Sequence, residues 1–101
     1  MRKIYKYPLS FSDRIVVDGS IICPLTVQMQ NGVPCLWTVV DDSLPSRSIE
    51  VRCVGTGMPL TRDIDNMIYI STVQVGKYVF HYFYKYIQEW GDIDELFRSD
   101  T

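Results

Sequence analysis

Leu25-Thr26-Val27-Gln28-Met29-Gln30-Asn31-Gly32-Val33-Pro34-Cys35-Leu36-Trp37-Thr38-Val39-Val40 is the stretch that decides the fold. Two apolar, β-branched runs flank Asn31-Gly32, the pair that best tolerates the positive φ required at both central positions of a type I′ turn. A two-residue loop fixes the register. Gln30 then faces Val33, Met29 faces Pro34, Gln28 faces Cys35, Val27 faces Leu36, Thr26 faces Trp37 and Leu25 faces Thr38. Facing residues share one side of the ribbon, so Leu25, Val27, Met29, Leu36 and Val40 form a core side. Thr26, Gln28, Gln30, Cys35 and Trp37 form the other.

The same period of two runs outward from this hairpin. Short β-branched and aromatic stretches at 3–8, 14–17, 25–30, 35–40, 48–54, 68–74 and 78–86 alternate with Gly, Pro, Asn and Asp punctuation. The pattern predicts an all-β domain, a small antiparallel sandwich or partly open barrel of six to seven strands, with Ile4, Val27, Leu36, Val51, Ile70 and Phe80 mostly buried. Tyr78, Phe80, Tyr82, Tyr84 and Tyr86 share one face of the last strand while Val79, His81, Phe83 and Lys85 share the other. A strand apolar on both faces belongs in the middle of a sheet. The β domain is expected to span 1–86. Residues 87–101 form an acidic tail in which Asp92-Ile93-Asp94-Glu95 has the form of a capping box and Ile93, Leu96 and Phe97 follow at helical spacing, a short amphipathic helix.

At 101 residues the chain holds one core, and 47% hydrophobic with 13% aromatic residues excludes a disordered chain. A net charge of -2 lacks the Lys/Arg surplus that general nucleic-acid binding needs. The acidity is concentrated: 89–101 carries five carboxylates against Arg98 alone. No apolar run approaches the roughly 20 residues of a membrane span, and Pro8 ends the basic N-terminal stretch before any signal-peptide apolar region begins. A cytoplasmic protein is expected. Cys23, Cys35 and Cys53, with no C-x-x-C and one histidine, do not supply a zinc site, and they read as small buried hydrophobes in a reducing compartment. No cofactor and no metal are called for.

Four places carry candidate chemistry. Trp37 beside Gln28 and Gln30 offers a stacking plane with oriented amides, or else covers a second small core with Val39 and Cys35. Gly55-Thr56-Gly57, followed by Met58-Pro59, could gather backbone amides around an anion, or simply turn the chain. His81 is the natural acid–base group, yet no nucleophile motif or paired carboxylate accompanies it, so a hydrogen-bonded structural histidine and a non-enzyme are expected. Trp90, with Leu96 and Phe97, either packs on the sheet or meets a partner. Exposed β edges leave a homodimer open.

Several pieces in order, Ile4-Tyr5-Lys6-Tyr7-Pro8-Leu9, the run from Val27 to Trp37, Val54-Gly55-Thr56-Gly57-Met58-Pro59, Tyr69-Ile70-Ser71-Thr72-Val73-Gln74 and Tyr78-Val79-Phe80-His81, resemble a family of small proteins encoded by tailed bacteriophages and prophages. The resemblance transfers no activity and no site residue. It implies a phage-encoded binding protein without catalysis that inhibits or redirects a host or defence protein, of the anti-CRISPR kind. The alternatives are a sponge for a signalling nucleotide, with Arg52 or Arg62 holding phosphate, and a minor virion or assembly component.

Overall fold

A computed structural model describes residues 1–87, and within them the central hairpin turns where the sequence requires. Asn31 and Gly32 both adopt positive φ, 51° and 79°. They join β3 (Ile21–Gln30) to β4 (Val33–Asp41), with the expected register from Gln30↔Val33 to Thr26↔Trp37.

Beyond Thr26 the register departs from expectation. Pro24, not Leu25, pairs with Thr38, and a second irregularity separates Ile21 from Cys23. Pro24 has no N–H to give a ladder, and a bulge accommodates it by leaving one extra residue unpaired. The extra residue is Leu25, which is 47% exposed, so the core position assigned to it is corrected. In exchange Ile21 is fully buried and the Thr38 hydroxyl, also fully buried, donates to the Cys23 carbonyl at 2.9 Å. Cys23, by the same shift, is exposed, unlike Cys35 and Cys53.

β1 (Arg2–Pro8) pairs with β4 on its other side, giving a three-stranded sheet of order β1-β4-β3. Ile4 stands opposite Val39 on the outer face of this edge strand and is 63% exposed, so its predicted burial is also corrected. The alternation sends Tyr7 and the following Leu9 inward instead. The free edge of β1 carries Arg2, Lys3 and Lys6, charges that discourage edge-to-edge pairing.

The second sheet holds β2 (Arg14–Val17), β5 (Ile49–Gly55), β7 (Tyr78–Tyr86) and β6 (Ile68–Val75) in the order β2-β5-β7-β6, all antiparallel. β7 lies inside it, as its two apolar faces require, and a 3₁₀ turn, Arg62–Asn66, precedes β6. Among the described residues the chain is thus all-β, with seven strands in two facing antiparallel sheets and no closed barrel. The expected helical tail lies outside the described residues, as does most of the segment from 87 onward.

Val27, Leu36 and Val40 from one sheet meet Ile49, Val51, Tyr82 and Tyr84 from the other to form the core. Ile70 and Phe80 are half-buried at its margin rather than within it. Side-chain hydrogen bonds stitch the sheets together at both sides. The Ser71 hydroxyl on β6 accepts the Val27 N–H at 2.8 Å and shares a hydrogen bond with the Thr26 hydroxyl. On the opposite side buried Arg47 donates to the Ile21 and Ile22 carbonyls, both at 3.1 Å, with its guanidinium 3.8 Å from the Tyr86 ring centre.

The bulge sets a direct comparison. Leu25→Ala is expected to change unfolding free energy by less than about 0.5 kcal/mol, whereas Leu36→Ala should cost about 2–5 kcal/mol. Urea denaturation of both variants checks this, and equal losses would restore the unbulged register.

Candidate functional site

β5 runs further than its neighbour. The ladder with β2 ends at Arg14↔Arg52, and one residue beyond it the Cys53 N–H still donates to the Asp13 carbonyl at 3.0 Å. Upstream, the Leu9 N–H donates to the Pro34 carbonyl in the other sheet. The chain therefore crosses from one sheet to the other between Leu9 and Asp13, and β2 cannot be extended to cover Gly55.

A cavity of about 810 Å³ occupies that uncovered end. The crossover supplies Phe11, whose ring lies 4.7 Å from that of Phe80, with Tyr78 6.5 Å further along the strand. The loop after β5 supplies Thr56, Met58 and Pro59, and buried Ile64 of the 3₁₀ turn closes the far wall. Phe11, Met58 and Tyr78 remain exposed to 39%, 64% and 60%, so the wall is both apolar and open to a visitor.

The Gly55-Thr56-Gly57 segment is a β-turn closed by the Met58 N–H donating to the Gly55 carbonyl at 3.0 Å, with Gly57 in the left-handed region at φ 87°. The Thr56 N–H is spent on the Val79 carbonyl at 2.9 Å. Backbone amides that would have to converge on an anion thus point in different directions.

Charge at the mouth is largely settled internally. Arg52, buried among these elements, donates through Nε to the Asp13 carbonyl and through its terminal nitrogens to the carboxylates of Asp13 and Asp63. Burial works against its charge, yet the two carboxylates hold the guanidinium above its ordinary range. Asp63 is held below the usual carboxylate range, first by the Thr61 hydroxyl and then by Arg52. Lys77 is different: among the described residues it forms no ion pair, and it lies 5.4 Å from the centre of the Tyr78 ring.

His81 stands on the outer face of its strand, opposite Val54 and Thr72. Its Nε2 bonds the Thr56 hydroxyl at 2.7 Å and its Nδ1 the Thr72 hydroxyl at 2.9 Å, and Tyr69 extends the chain to Thr72 at 2.7 Å. The imidazole thereby braces the loop that walls the cavity. Burial pushes the nearby Cys53 thiol up, away from the thiolate a nucleophile needs. Among the described residues no group of three His, Cys, Asp or Glu side chains could hold a metal ion.

Of the residues the sequence singles out, Gly55, Thr56 and His81 come together here, with Gly57 in the adjoining turn. Gln28, Gln30 and Trp37 lie elsewhere, on the outer face of the three-stranded sheet, where Trp37 is half-buried. There the Gln30 amide oxygen accepts from Lys6 Nζ at 2.6 Å and Thr26 is bound to Ser71, which leaves Gln28 as the free amide of that patch. Trp90 lies outside the described residues. Phe11, Lys77 and Tyr78 were missed as site residues. An isolated Phe in the polar run 10–13 and the apolar Met58-Pro59-Leu60 inside a turn were the available signals.

With this geometry in view, residues 1–91 match a domain of unknown function. The chain belongs to the DUF7352 family. No curated protein and no solved structure matches it. No helix among the described residues of this DUF7352 chain is long and apolar enough to cross a membrane.

Removing the brace has a defined consequence. His81→Ala should lower stability by about 1 kcal/mol through the two lost hydrogen bonds and speed amide exchange at Thr56 and Met58. Unchanged exchange there would show that the loop holds without the imidazole.

Proposed function

We propose that this DUF7352 protein is a phage-encoded, cytoplasmic binding protein without catalysis, which takes an apolar group of a host or defence protein into the cavity at the end of β5 and so inhibits or redirects it. The observation that carries the reading is the cavity itself: about 810 Å³, within the size range of ligand sites, with an aromatic wall mounted on strands. Aromatic anchors held by a sheet lose little entropy on binding, which is where hot spots arise. The titratable groups around it serve other ends. Arg52 is paired twice, His81 is bonded on both nitrogens and Cys53 is kept as a thiol. A nucleotide sponge would have to break the Arg52 pairs before that side chain could reach a phosphate.

The test is retention of a bacterial protein by the immobilised full chain, comparing wild type with Phe11→Ser/Tyr78→Ser and with Trp37→Ala, all confirmed folded. The cavity variant should weaken binding about thirtyfold, the loss of about 2 kcal/mol typical of a hot spot, while Trp37→Ala stays near wild type. Loss with Trp37→Ala alone would move the interface to the outer face of the three-stranded sheet. A nucleotide released on denaturing the purified protein would favour the sponge, and presence in purified virions the assembly role.

A further inference from the structure

We infer that the occupant of the cavity is an extended peptide segment of the partner, which adds as a strand to the free edge of β5, seats one apolar side chain against Phe11, Tyr78 and Phe80, and places a carboxylate beside Lys77. The inference rests on the binding reading above and specifies its ligand.

N–H and C=O groups of a strand alternate from side to side. Thr56 N–H turns to β7 and Cys53 N–H turns to Asp13, so Gly55 N–H turns to the same side as Cys53, where β2 no longer runs. Its carbonyl is taken by Met58, but the N–H faces the cavity with no ladder partner. The cavity occupies the place where the next residues of β2 would have lain. An incoming strand restores the missing neighbour at the usual spacing of about 4.8 Å.

The side chains select what such a strand carries. Alternate residues of an added strand point to one face, and the face bounded by Phe80, Tyr78 and Phe11 admits a large apolar group. Charge complementarity then separates the classes of ligand. Asp13 and Asp63 share the one Arg52 guanidinium, which leaves that cluster a net negative charge, and among the described residues lining the cavity the cation without an ion pair is Lys77. A single lysine suits one carboxylate. A nucleotide or nucleic acid would bring several anionic oxygens to a mouth that also exposes two aspartates.

The experiment uses the full-length protein and capped hexapeptides with Val/Thr flanks, carrying Phe, Leu or Lys at the third position and Asp or Asn at the fifth, read by fluorescence polarisation and by amide shifts in NMR spectra. Phe-Asp and Leu-Asp peptides should bind at least tenfold tighter than the Lys or Asn versions, with shifts at Cys53, Gly55, Thr56 and Lys77. Lys77→Met should erase the Asp preference and leave the Asn peptides unchanged. Thioamide substitution at successive peptide carbonyls, which weakens the acceptor, should weaken binding at one position only, that of the carbonyl accepting from the Gly55 N–H. Equal effects of the thioamide at every peptide carbonyl, or an Asp preference that survives Lys77→Met, overturns the inference. So does the absence of any bound peptide at millimolar concentration. In each of those cases lysate retention that still depends on Phe11 and Tyr78 preserves the binding reading, whereas retention insensitive to them removes both.

Discussion

Everything at the functional end of this protein follows from where the chain changes sheets. Leu9 is still tied to Pro34 in the three-stranded sheet, and by Asp13 the backbone is accepting from Cys53 in the four-stranded one. Few residues are available to cross a sandwich whose sheets lie roughly 10 Å apart, so β2 begins late and stays short. β5 is long because it pairs on its other side with β7 through Gly55↔Phe80. The mismatch in length leaves an unpaired edge, and the crossover places an aromatic ring across from it.

Unpaired edges are normally blunted. Here the exposed edge of β1 follows that rule with three basic side chains, while the end of β5 does not: its surroundings are aromatic, and Asp13, Asp63 and Arg52 beside it are tied to one another. That cluster also anchors the 3₁₀ turn to the crossover, since Asp63 and Asp13 grip one guanidinium from either side. The guanidinium is buried while both carboxylates reach solvent, so each pair adds little net stability, but loss of both would leave a buried charge without a partner. Its effect is to fix the shape of the cavity mouth. The stitches at Ser71 and Arg47 do the same for the body of the sandwich.

Much of the fold was legible in the sequence because it rests on local chemistry. Asn31-Gly32 determined its own turn, and the interior place of the aromatic strand and most strand boundaries followed from alternation, though β3 begins at Ile21 and not at Leu25. Leu25 and Ile4 were misplaced for physical reasons that alternation does not contain. A proline-driven bulge shifts phase by one residue, and an edge strand can turn an isoleucine outward when a neighbouring tyrosine and leucine fill the core. The site was less legible still. Gly55, Thr56 and His81 could be named as residues of interest, but their meeting depends on the pairing of β5 with β7, and Phe11 joins them only through the crossover. Neither is encoded in spacing along the chain.

Recognition at the end of β5 depends on the Gly55 amide. Hydrogen exchange measured residue by residue on the full chain should find this N–H exchanging quickly in the free protein while the Cys53 and Thr56 amides, held by Asp13 and Val79, exchange slowly. It should find Gly55 slowed once a cavity-binding partner is saturating. A Gly55 amide already as protected as its neighbours in the free protein, or one unaffected by the bound partner, would contradict the claim that the end of β5 is an open edge used for recognition.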